Sequence, residues 1–381
     1  MNNSHFHDQP FDDATLLKLE IFRGYIRQWL PVFLSKQTYS EVHIYDFFAG
    51  PGTDATGNCG SPLVIIEELE QYLKDARAPV APGVDIFLHF NDNDCDKVAK
   101  LQQLVSERKT TLSYDVDFTS TDFRMALFAN LDLIQRNDTA NLIIMDQYGF
   151  KEVDERIFQT LIQCDTTDIL FFVSSTHVRR FAKEDAVQRF INISPEKIEA
   201  ISAKEIHRFI CREFYQKLVP DNYQYYVVPF SIEKDSSTNI YGIIFGTSNL
   251  LGLDKFLQVC WNTDDVTGEA NYNIDEEIIH GGQMSLLDEC AVSKKQDKFQ
   301  KEMKVFIEQR QPDNRELYRY IIENGFLPKH ANPMLKTMCE EGTLCVLEID
   351  PEKEARKNAF YLGWPNYSGV PPKVQFKLRV T

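Results

Sequence analysis

The sequence predicts an α/β protein with a doubly wound, mostly parallel Rossmann-like sheet that ends in an antiparallel hairpin, plus a C-terminal winged-helix domain. Apolar runs that finish in polar residues alternate with helical patterns, which is typical of a buried parallel sheet with a site at the carboxyl ends of its strands. Two later strand-like runs, Tyr225 to Phe230 and Ile240 to Phe245, form the hairpin. Short amphipathic patterns and two strand-like runs after Asp297 predict the winged helix.

A helix from Ala14 to Ser35 precedes the sheet, because its apolar residues recur at helical spacing. We expect this helix to pack beside the first strand. Its aromatic residues Phe22 and Tyr25 fit a core role better than a cofactor role, since apolar stripes at this spacing are usually core.

The first strand, Val42 to Tyr45, leads into Asp46 and a glycine-containing segment. Gly50 and Gly52 stand where a strand must end close to a ligand, since a Cβ would collide with the ligand or forbid the turn. Two glycines alone are a weak signal, so the features that follow decide their meaning.

A loop from Thr53 to Gly60 separates these glycines from the next helix and is longer than in a compact dinucleotide-binding motif. This extra length is consistent with a lid. Ser61 and Pro62 predict the start of the helix, with Ser61 as N-cap and Pro62 at the first helical position.

Polar residues follow each later strand. Asp92 comes after Val84 to Phe90 and is placed to hydrogen-bond ribose hydroxyls, whereas Asp122 follows the third strand and could meet an adenine amino group. Asp146 follows Asn141 to Met145. The last parallel strand, Ile169 to Val173, ends near a candidate base and two candidate phosphate contacts: His177, Arg179 and Arg180.

These motifs resemble those of class I S-adenosylmethionine-dependent methyltransferases. The resemblance implies S-adenosylmethionine as cofactor and a direct displacement in which the protein mainly aligns the reacting groups. Asp146 is expected to accept a hydrogen bond from an exocyclic amine, and Tyr148 to stack on a base. The implied cofactor-binding residues are Asp46, Phe48, Gly50, Gly52, Asp92, Asp122 and Phe123, and the implied catalytic residues are Asp146 and Tyr148.

More narrowly, the chain resembles the three-Cys-motif partner (TcmP) family along nearly its whole length. The similarity lies in Phe47 to Gly52, Gly60 to Leu63, Asp146 to Gly149 and Trp261 to Asp275. It implies a protein partner with three cysteines encoded nearby. Gln147 departs from the proline usual in amino-methyltransferases, which puts amino-methyl transfer in doubt.

Composition argues against a disulfide-rich, membrane-spanning or metal-binding protein. The chain has 381 residues, a net charge of -16 and eight cysteines without a Cys-x-x-Cys pair, which predicts buried thiols in a cytoplasmic protein. No apolar run approaches the roughly 18 residues of a membrane span, and no signal-peptide core is evident near Met1. A calcium loop after Asp92 lacks the required glycine and glutamate, so no metal site is expected.

The charge is uneven along the chain. The segment from Asp297 to Thr381 has 14 Lys and Arg against 12 Asp and Glu, whereas the rest has 27 against 45. We therefore expect three regions: a methyltransferase-like domain at 1–260, an acidic linker or insertion at 261–296, and a winged-helix-like domain at 297–381.

The predicted winged helix has helices at Phe299 to Ile307, Glu316 to Ile322 and Pro328 to Cys339, and strands at Leu344 to Ile349 and Phe360 to Leu362. It would contact DNA or RNA, or instead dock a protein. The candidate nucleic-acid contacts are Lys329, His330, Lys336, Arg356 and Lys357.

Three functions fit these patterns. The first is a methyltransferase acting on nucleic acid or a nucleic-acid-associated target, with the three-Cys-motif protein as partner. The second is a non-catalytic scaffold or sensor that retains the fold. A hydride-transferring Rossmann enzyme is disfavoured, because the antiparallel hairpin and the Asp-x-Tyr element have no place in it.

Overall fold

The computed structural model of the protein describes residues 9–108, 113–147, 149–234, 239–271, 293–350, 356 and 358–379. These residues fall into two compact units, one formed by residues 9–259 and 269–271 and the other by residues 260–268 and 293–379. Buried apolar side chains occur throughout both units.

Seven strands of the first unit form one sheet. In chain order they are β1 (Glu41–Asp46), β2 (Asp85–Asn91), β3 (Asp115–Thr119), β4 (Thr139–Met145), β5 (Thr167–Val173), β6 (Tyr226–Glu233) and β7 (Ile240–Thr247). Their spatial order is β3-β2-β1-β4-β5-β7-β6, and β7 pairs antiparallel with both β5 and β6. The first five strands pair in parallel. This topology confirms the predicted Rossmann-like methyltransferase sheet with its terminal hairpin.

Helices flank the sheet. They are α1 (Asp13–Leu34), α2 (Ser61–Lys74), α3 (Cys95–Glu107), α4 (Phe123–Ile134), α5 (Glu155–Leu161), α6 (Ser175–Arg180), α7 (Asp185–Gln188), α8 (Pro195–Ala200), α9 (Ile206–Ile210) and α10 (Leu250–Thr263). Helix α1 begins where the Asp12 carboxylate accepts a hydrogen bond from the Thr15 amide at 2.8 Å. All residues of the central strand β4 are buried, as a strand covered on both faces requires.

The helical segment that leads into β6 is interrupted. After α9 the chain forms a π-helical turn, Cys211–Tyr215, and then a 3₁₀ turn, Gln216–Leu218. The buried Tyr215 hydroxyl donates a hydrogen bond to the Val153 carbonyl at 3.0 Å, and this contact is invisible to local helical periodicity.

The second unit contains α11 (Lys294–Arg310), α12 (Asn314–Glu323), α13 (Pro328–Glu340), the strand β8 (Leu344–Glu348), the short helix α14 (Trp364–Tyr367) and the strand β9 (Val374–Leu378). Asp313 caps α12 in a reciprocal capping box with Glu316. Strands β8 and β9 pair antiparallel.

The predicted strand at Phe360 to Leu362 is wrong. That segment is irregular, with Tyr361 at a φ of 52°, whereas β9 is the strand that pairs with β8. Val374 and Phe376 alternate with more exposed neighbours on β9, so burial of one strand face selected the later segment.

The cysteines differ from the expected uniformly buried set. Cys164, Cys211 and Cys260 are buried, but Cys95 is exposed at the start of α3. Among the described residues, no helix is long and apolar enough to cross a lipid bilayer.

Candidate functional site

A glycine loop, residues 47–60, follows β1 at the point where the strand order reverses between β1 and β4. Gly50 and Gly52 have φ values of 63° and 90°. A Cβ on Gly52 would lie 2.8 Å from Cδ1 of Leu101, so any other residue there would strain the backbone at positive φ and also displace the Leu101 side chain. The Gly60 amide donates to the Gly52 carbonyl at 2.7 Å and closes the loop.

The start of α2 differs from its prediction by one residue. Gly60 occupies the N-cap position and Ser61 is the first helical residue, with Pro62 in the first turn. The loop before it is held around Asp54, whose carboxylate accepts hydrogen bonds from the Phe11 and Asn58 amides at 2.8 Å. The predicted lid is therefore a hydrogen-bonded turn.

Asp46 is fully buried at the end of β1. Its Oδ1 atom accepts a hydrogen bond from the Phe48 amide at 3.1 Å, whereas Oδ2 has no hydrogen-bond partner. Burial raises the pKa of Asp46 to about 7, because it outweighs the lowering effect of the nearby Ser61 hydroxyl and the Phe48 amide, and the negative charges of Asp146 and Asp92 add to the rise. The carboxyl group is thus suited to receive a cationic group, which would stabilise its ionised form.

Asp92 links the end of β2 to the glycine loop. Its Oδ2 atom accepts from the Gly50 amide and its Oδ1 atom from the Asp94 amide, each at 3.0 Å. Asp94 in turn caps α3. The preceding residue, Asn91, connects the same site to the loop after β3, because its Nδ2 atom donates to the Thr121 carbonyl at 3.1 Å.

Asp122 and Phe123 stand at the start of α4. The Asp122 carboxylate caps this helix by accepting from the Arg124 amide at 2.9 Å. The Phe123 ring is buried and packs 5.0 Å from the half-buried ring of Phe48, measured between centroids. Both predicted adenine-site residues therefore have structural roles, Asp122 as a helix cap and Phe123 as a packed ring. A ligand contact by Phe123 would have to use its backbone.

Asp146 follows β4 and forms an ion pair that the sequence did not indicate. The Lys18 ammonium on α1 lies 2.5 Å from Oδ2 of Asp146, and Lys18 is itself buried. The ammonium also lies 4.9 Å from the centroid of the Phe172 ring on β5. Helical spacing could have placed Lys18 on the buried face of α1, four residues before Phe22, but it could not have identified Asp146 as the partner.

Gln147, the residue that departs from the proline of amino-methyltransferases, has a structural role. It is buried, its Nε2 atom donates to the Phe172 carbonyl at 2.9 Å, and its Oε1 atom accepts from the Glu152 amide at 2.8 Å. The side chain therefore anchors the loop after β4 to β5. The predicted stacking residue Tyr148 lies outside the described residues.

His177 lies on α6, after β5. Its ring centroid is 5.6 Å from that of Phe150, and the Lys151 ammonium is 5.9 Å from the same Phe150 ring. Burial and the positive charges of Lys151 and Arg180 lower the pKa of His177. Arg179 is half-buried, and its Nε atom donates to the Ile201 carbonyl at 2.9 Å, which is a structural contact. Arg180 is exposed to solvent.

A buried serine and histidine pair was also missed. Oγ of Ser175 lies 2.8 Å from Nδ1 of His207, and Nε2 of His207 lies 3.1 Å from the Ile243 carbonyl. Burial lowers the pKa of His207 to about 4, so the ring is neutral. Because both residues are completely buried, the pair organises the fold.

His330, one of the candidate nucleic-acid contacts, has a structural role in the second unit. Nδ1 of His330 accepts a hydrogen bond from the Leu327 amide at 3.0 Å, and its ring lies 4.0 Å from that of Trp261. Burial, with the charges of Lys329 and Lys295, lowers its pKa to about 4. The neutral ring is used in capping and packing.

The other four candidates in this unit stay predictions. Lys329, Lys336 and Arg356 are exposed. Lys336 lies 3.9 Å from the Glu340 carboxylate, a surface pair that water screens strongly. Lys357 lies outside the described residues.

Solved structures similar to this chain include three methyltransferase-related proteins. M. capricolum TrmK in complex with S-adenosyl-homocysteine has 9% sequence identity, a TM-score of 0.25, and coverage of 58% of this chain and 68% of that chain. A SAM-dependent methyltransferase from Methanosarcina mazei has 11% identity, a TM-score of 0.25, and coverage of 54% and 90%. Loganic acid methyltransferase with SAH has 7% identity, a TM-score of 0.28, and coverage of 66% and 98%.

No protein-family model matches the chain, and no curated protein matches its sequence. The fold is defined by the strand order and by β7, the single reversed strand among the described strands of the sheet.

Proposed function

We propose that the protein is an S-adenosylmethionine-dependent methyltransferase that acts on nucleic acid together with a three-Cys-motif partner protein. The observation that carries the cofactor assignment is the buried, half-unsatisfied carboxyl group of Asp46 beside a glycine loop at the sheet's switch point. A carboxyl group in that position suits the ammonium group of an amino-acid moiety.

The residues present fit this cofactor. Asp46 would bind the ammonium group of its methionine portion, Gly50 and Gly52 would allow close backbone approach, and Asp92 would reach the ribose hydroxyls. When bound, the cofactor supplies an electrophilic methyl group on a sulfonium. The Phe123 backbone amide is the remaining candidate for an adenine contact.

The same geometry disfavours a dinucleotide. Pyrophosphate binding uses a helix N-terminus directly after the glycines, but here the turn around Asp54 separates Gly52 from α2. The mutually repelling carboxylates of Asp46, Asp92 and Asp146 would also oppose a diphosphate.

Nucleic acid is proposed as substrate because basic side chains stand at the same edge of the sheet as Asp146. Lys151 and Arg180 are exposed and flank His177 in a chain whose net charge is -16. Exposed Lys329, Lys336 and Arg356 supply a second set in a unit of three helices and a strand pair, an arrangement that supports the winged-helix prediction.

Calorimetric titration of the full chain with S-adenosylmethionine, S-adenosylhomocysteine and NAD tests the cofactor. We expect micromolar binding of the first two and none of NAD. Asp46→Ala and Asp92→Ala should each abolish binding, whereas Asp94→Asn should preserve affinity because asparagine also caps helices well. Equal affinity in wild type and both alanine variants would refute the site.

Transfer of tritiated methyl groups to RNA and DNA, with and without the three-Cys-motif protein, tests catalysis and partnership. We expect label in nucleic acid and a higher rate with the partner. Cofactor binding without transfer to either nucleic acid would instead indicate a scaffold or sensor. A rate unchanged by the partner would remove the partner from the proposal.

A further inference from the structure

The buried ion pair between Lys18 and Asp146 lies at the carboxyl end of β4. The Lys18 side chain is 7% exposed and that of Asp146 is 21% exposed, so the pair opens to solvent on the Asp146 side. Asp146 also influences the charge state of Asp46, which places the pair close to the proposed cofactor site.

Attachment of α1 to the sheet does not require this pair. The Tyr25 hydroxyl donates to the Asp168 carboxylate on β5 at 2.8 Å, and the Arg23 guanidinium fixes α1 to the neighbouring helix α2 by donating to the buried Glu68 at 2.9 Å. A buried ion pair is a weak stabilising device, since desolvation of two charges offsets their attraction. A chemical role therefore accounts better for a charged pair at this place.

The ion pair between Lys18 and Asp146 suits a hydroxyl oxygen better than an amine nitrogen as the methyl acceptor. An amine acceptor needs hydrogen-bond acceptors for its N–H groups and a free lone pair, and a nearby ammonium competes for that lone pair. A hydroxyl acceptor matches both charges, because its O–H donates to the carboxylate while its oxygen accepts from the ammonium. Gln147 in place of proline agrees with an acceptor other than an amine.

We propose that Lys18 and Asp146 bind an oxygen acceptor and that this acceptor is the 2′-hydroxyl of RNA ribose. This inference rests on the proposed function, which supplies the methyl donor and a nucleic-acid substrate. Among the two nucleic acids, RNA alone carries a hydroxyl at every sugar. Exposed Lys151 and Arg180 after β4 and β5 are available for the adjoining phosphates.

The transfer balances with these groups. The acceptor oxygen forms a bond to the methyl carbon as the bond from carbon to sulfur breaks, and the electrons of the broken bond remain on sulfur. The hydroxyl proton passes to the Asp146 carboxylate and then to water. The Lys18 ammonium stabilises the negative charge that develops on oxygen and keeps its own protons.

The test incubates the full chain with tritiated S-adenosylmethionine and a mixed total-RNA preparation, followed by complete digestion and nucleoside identification. We expect 2′-O-methylnucleosides. Lys18→Met should reduce transfer at least about 100-fold, as removal of a charge-stabilising donor does in other enzymes. Lys36→Met, at an exposed lysine just after α1, should transfer at the wild-type rate.

The double variant Lys18→Met, Asp146→Asn separates chemistry from folding. It removes both charges, so we expect a melting temperature near that of the wild type but transfer as low as in Lys18→Met alone. Recovery of transfer in the double variant would show that the pair is only structural. Calorimetry should show that Lys18→Met binds S-adenosylmethionine at least as tightly as the wild type, and loss of binding would make Lys18 a cofactor ligand and overturn the proposal.

Methylated bases, label in DNA alone, or no label in RNA would each overturn the RNA ribose assignment. The proposed function would survive the first two results, because methyl transfer to nucleic acid would still be shown. The proposed function fails separately if wild-type protein binds neither S-adenosylmethionine nor its demethylated product.

Discussion

Two buried aspartates support the glycine loop, Asp46 directly before it and Asp54 within it, and they have opposite environments. Asp46, 0% exposed, has one carboxylate oxygen without a hydrogen-bond partner. Asp54, 5% exposed, accepts five hydrogen bonds, from the amide of Phe11 and from the amide and side-chain groups of Thr56 and Asn58.

The pKa values of the two groups diverge accordingly. Burial raises the pKa of Asp46 to about 7, because the Ser61 hydroxyl and the Phe48 amide lower it by less than burial and the charges of Asp146 and Asp92 raise it. Burial would also raise the pKa of Asp54, but hydrogen bonds from Phe11, Asn58 and Thr56 outweigh it and hold the pKa well below its ordinary value. A satisfied buried carboxylate organises a loop, whereas an unsatisfied one is a reason to look for a ligand.

The largest expected effect is at Gly52, at the Asp46 end of the loop. Gly52→Ala should destabilise the protein by about 4 kcal/mol, because it adds strain at positive φ to a collision with Leu101. The matched variant is Gly57→Ala, at the Asp54 turn, where φ is 88° and no atom lies within 4 Å of the added Cβ. It should cost only about 1 kcal/mol.

Denaturant unfolding of both glycine variants measures this difference. Equal losses would mean that backbone strain alone limits both positions. The close packing of Gly52 against α3 would then have no energetic role.

Asp54→Ala should cost about 3 kcal/mol, since it removes the acceptor of several buried donors. Asp46→Asn should cost no stability, because it replaces a buried carboxyl group that is costly to ionise. Thermal denaturation at pH 7 should therefore show a clear loss for the Asp54 variant and none for the Asp46 variant. A loss of similar size in both would contradict the comparison.

The pH dependence of stability tests Asp46 alone. Its pKa in the folded protein, about 7, exceeds the ordinary value of 3.8, so the folded state binds more protons between these values and wild-type stability falls as pH rises. Relative to the wild type, Asp46→Asn should gain roughly 2 kcal/mol between pH 5 and pH 8. A difference that does not change with pH would place the Asp46 pKa near its ordinary value.

The smallest effect is expected at the edge of the Asp54 turn. Asn58→Ala removes the side-chain donor to Oδ2 of Asp54, at 2.8 Å, but keeps the amide donor to Oδ1. We expect a loss of about 1 kcal/mol by urea unfolding. A loss as large as that of Asp54→Ala would show that the turn depends on this one side chain.

Much of the sheet was predictable because β1, β2, β4 and β5 are largely apolar runs that stop at polar residues. Asp46, Asp92 and Asp146 were located in this way, since the carboxyl ends of parallel strands meet at one edge. The hairpin followed from two β-rich runs in sequence order.

Contacts between distant segments were not predictable. The Lys18 pair joins residues 128 positions apart, and the Ser175 to His207 contact joins residues 32 apart. The spacing of apolar residues within one helix or strand does not indicate which distant residue a side chain will contact. The packing of His330 was not predictable for a related reason, because its place on α13 indicated a helix face but not the Trp261 ring that packs on it.

The most direct measurement of the central claim is proton release on cofactor binding at pH 7. Binding of a cationic group beside Asp46 should favour the ionised carboxylate, so calorimetry in buffers of different ionisation enthalpy should show release of about half a proton per S-adenosylmethionine bound. Asp46→Asn should release none. Binding without proton release in the wild type, or equal release in both proteins, would contradict the assignment of Asp46 to the cofactor site.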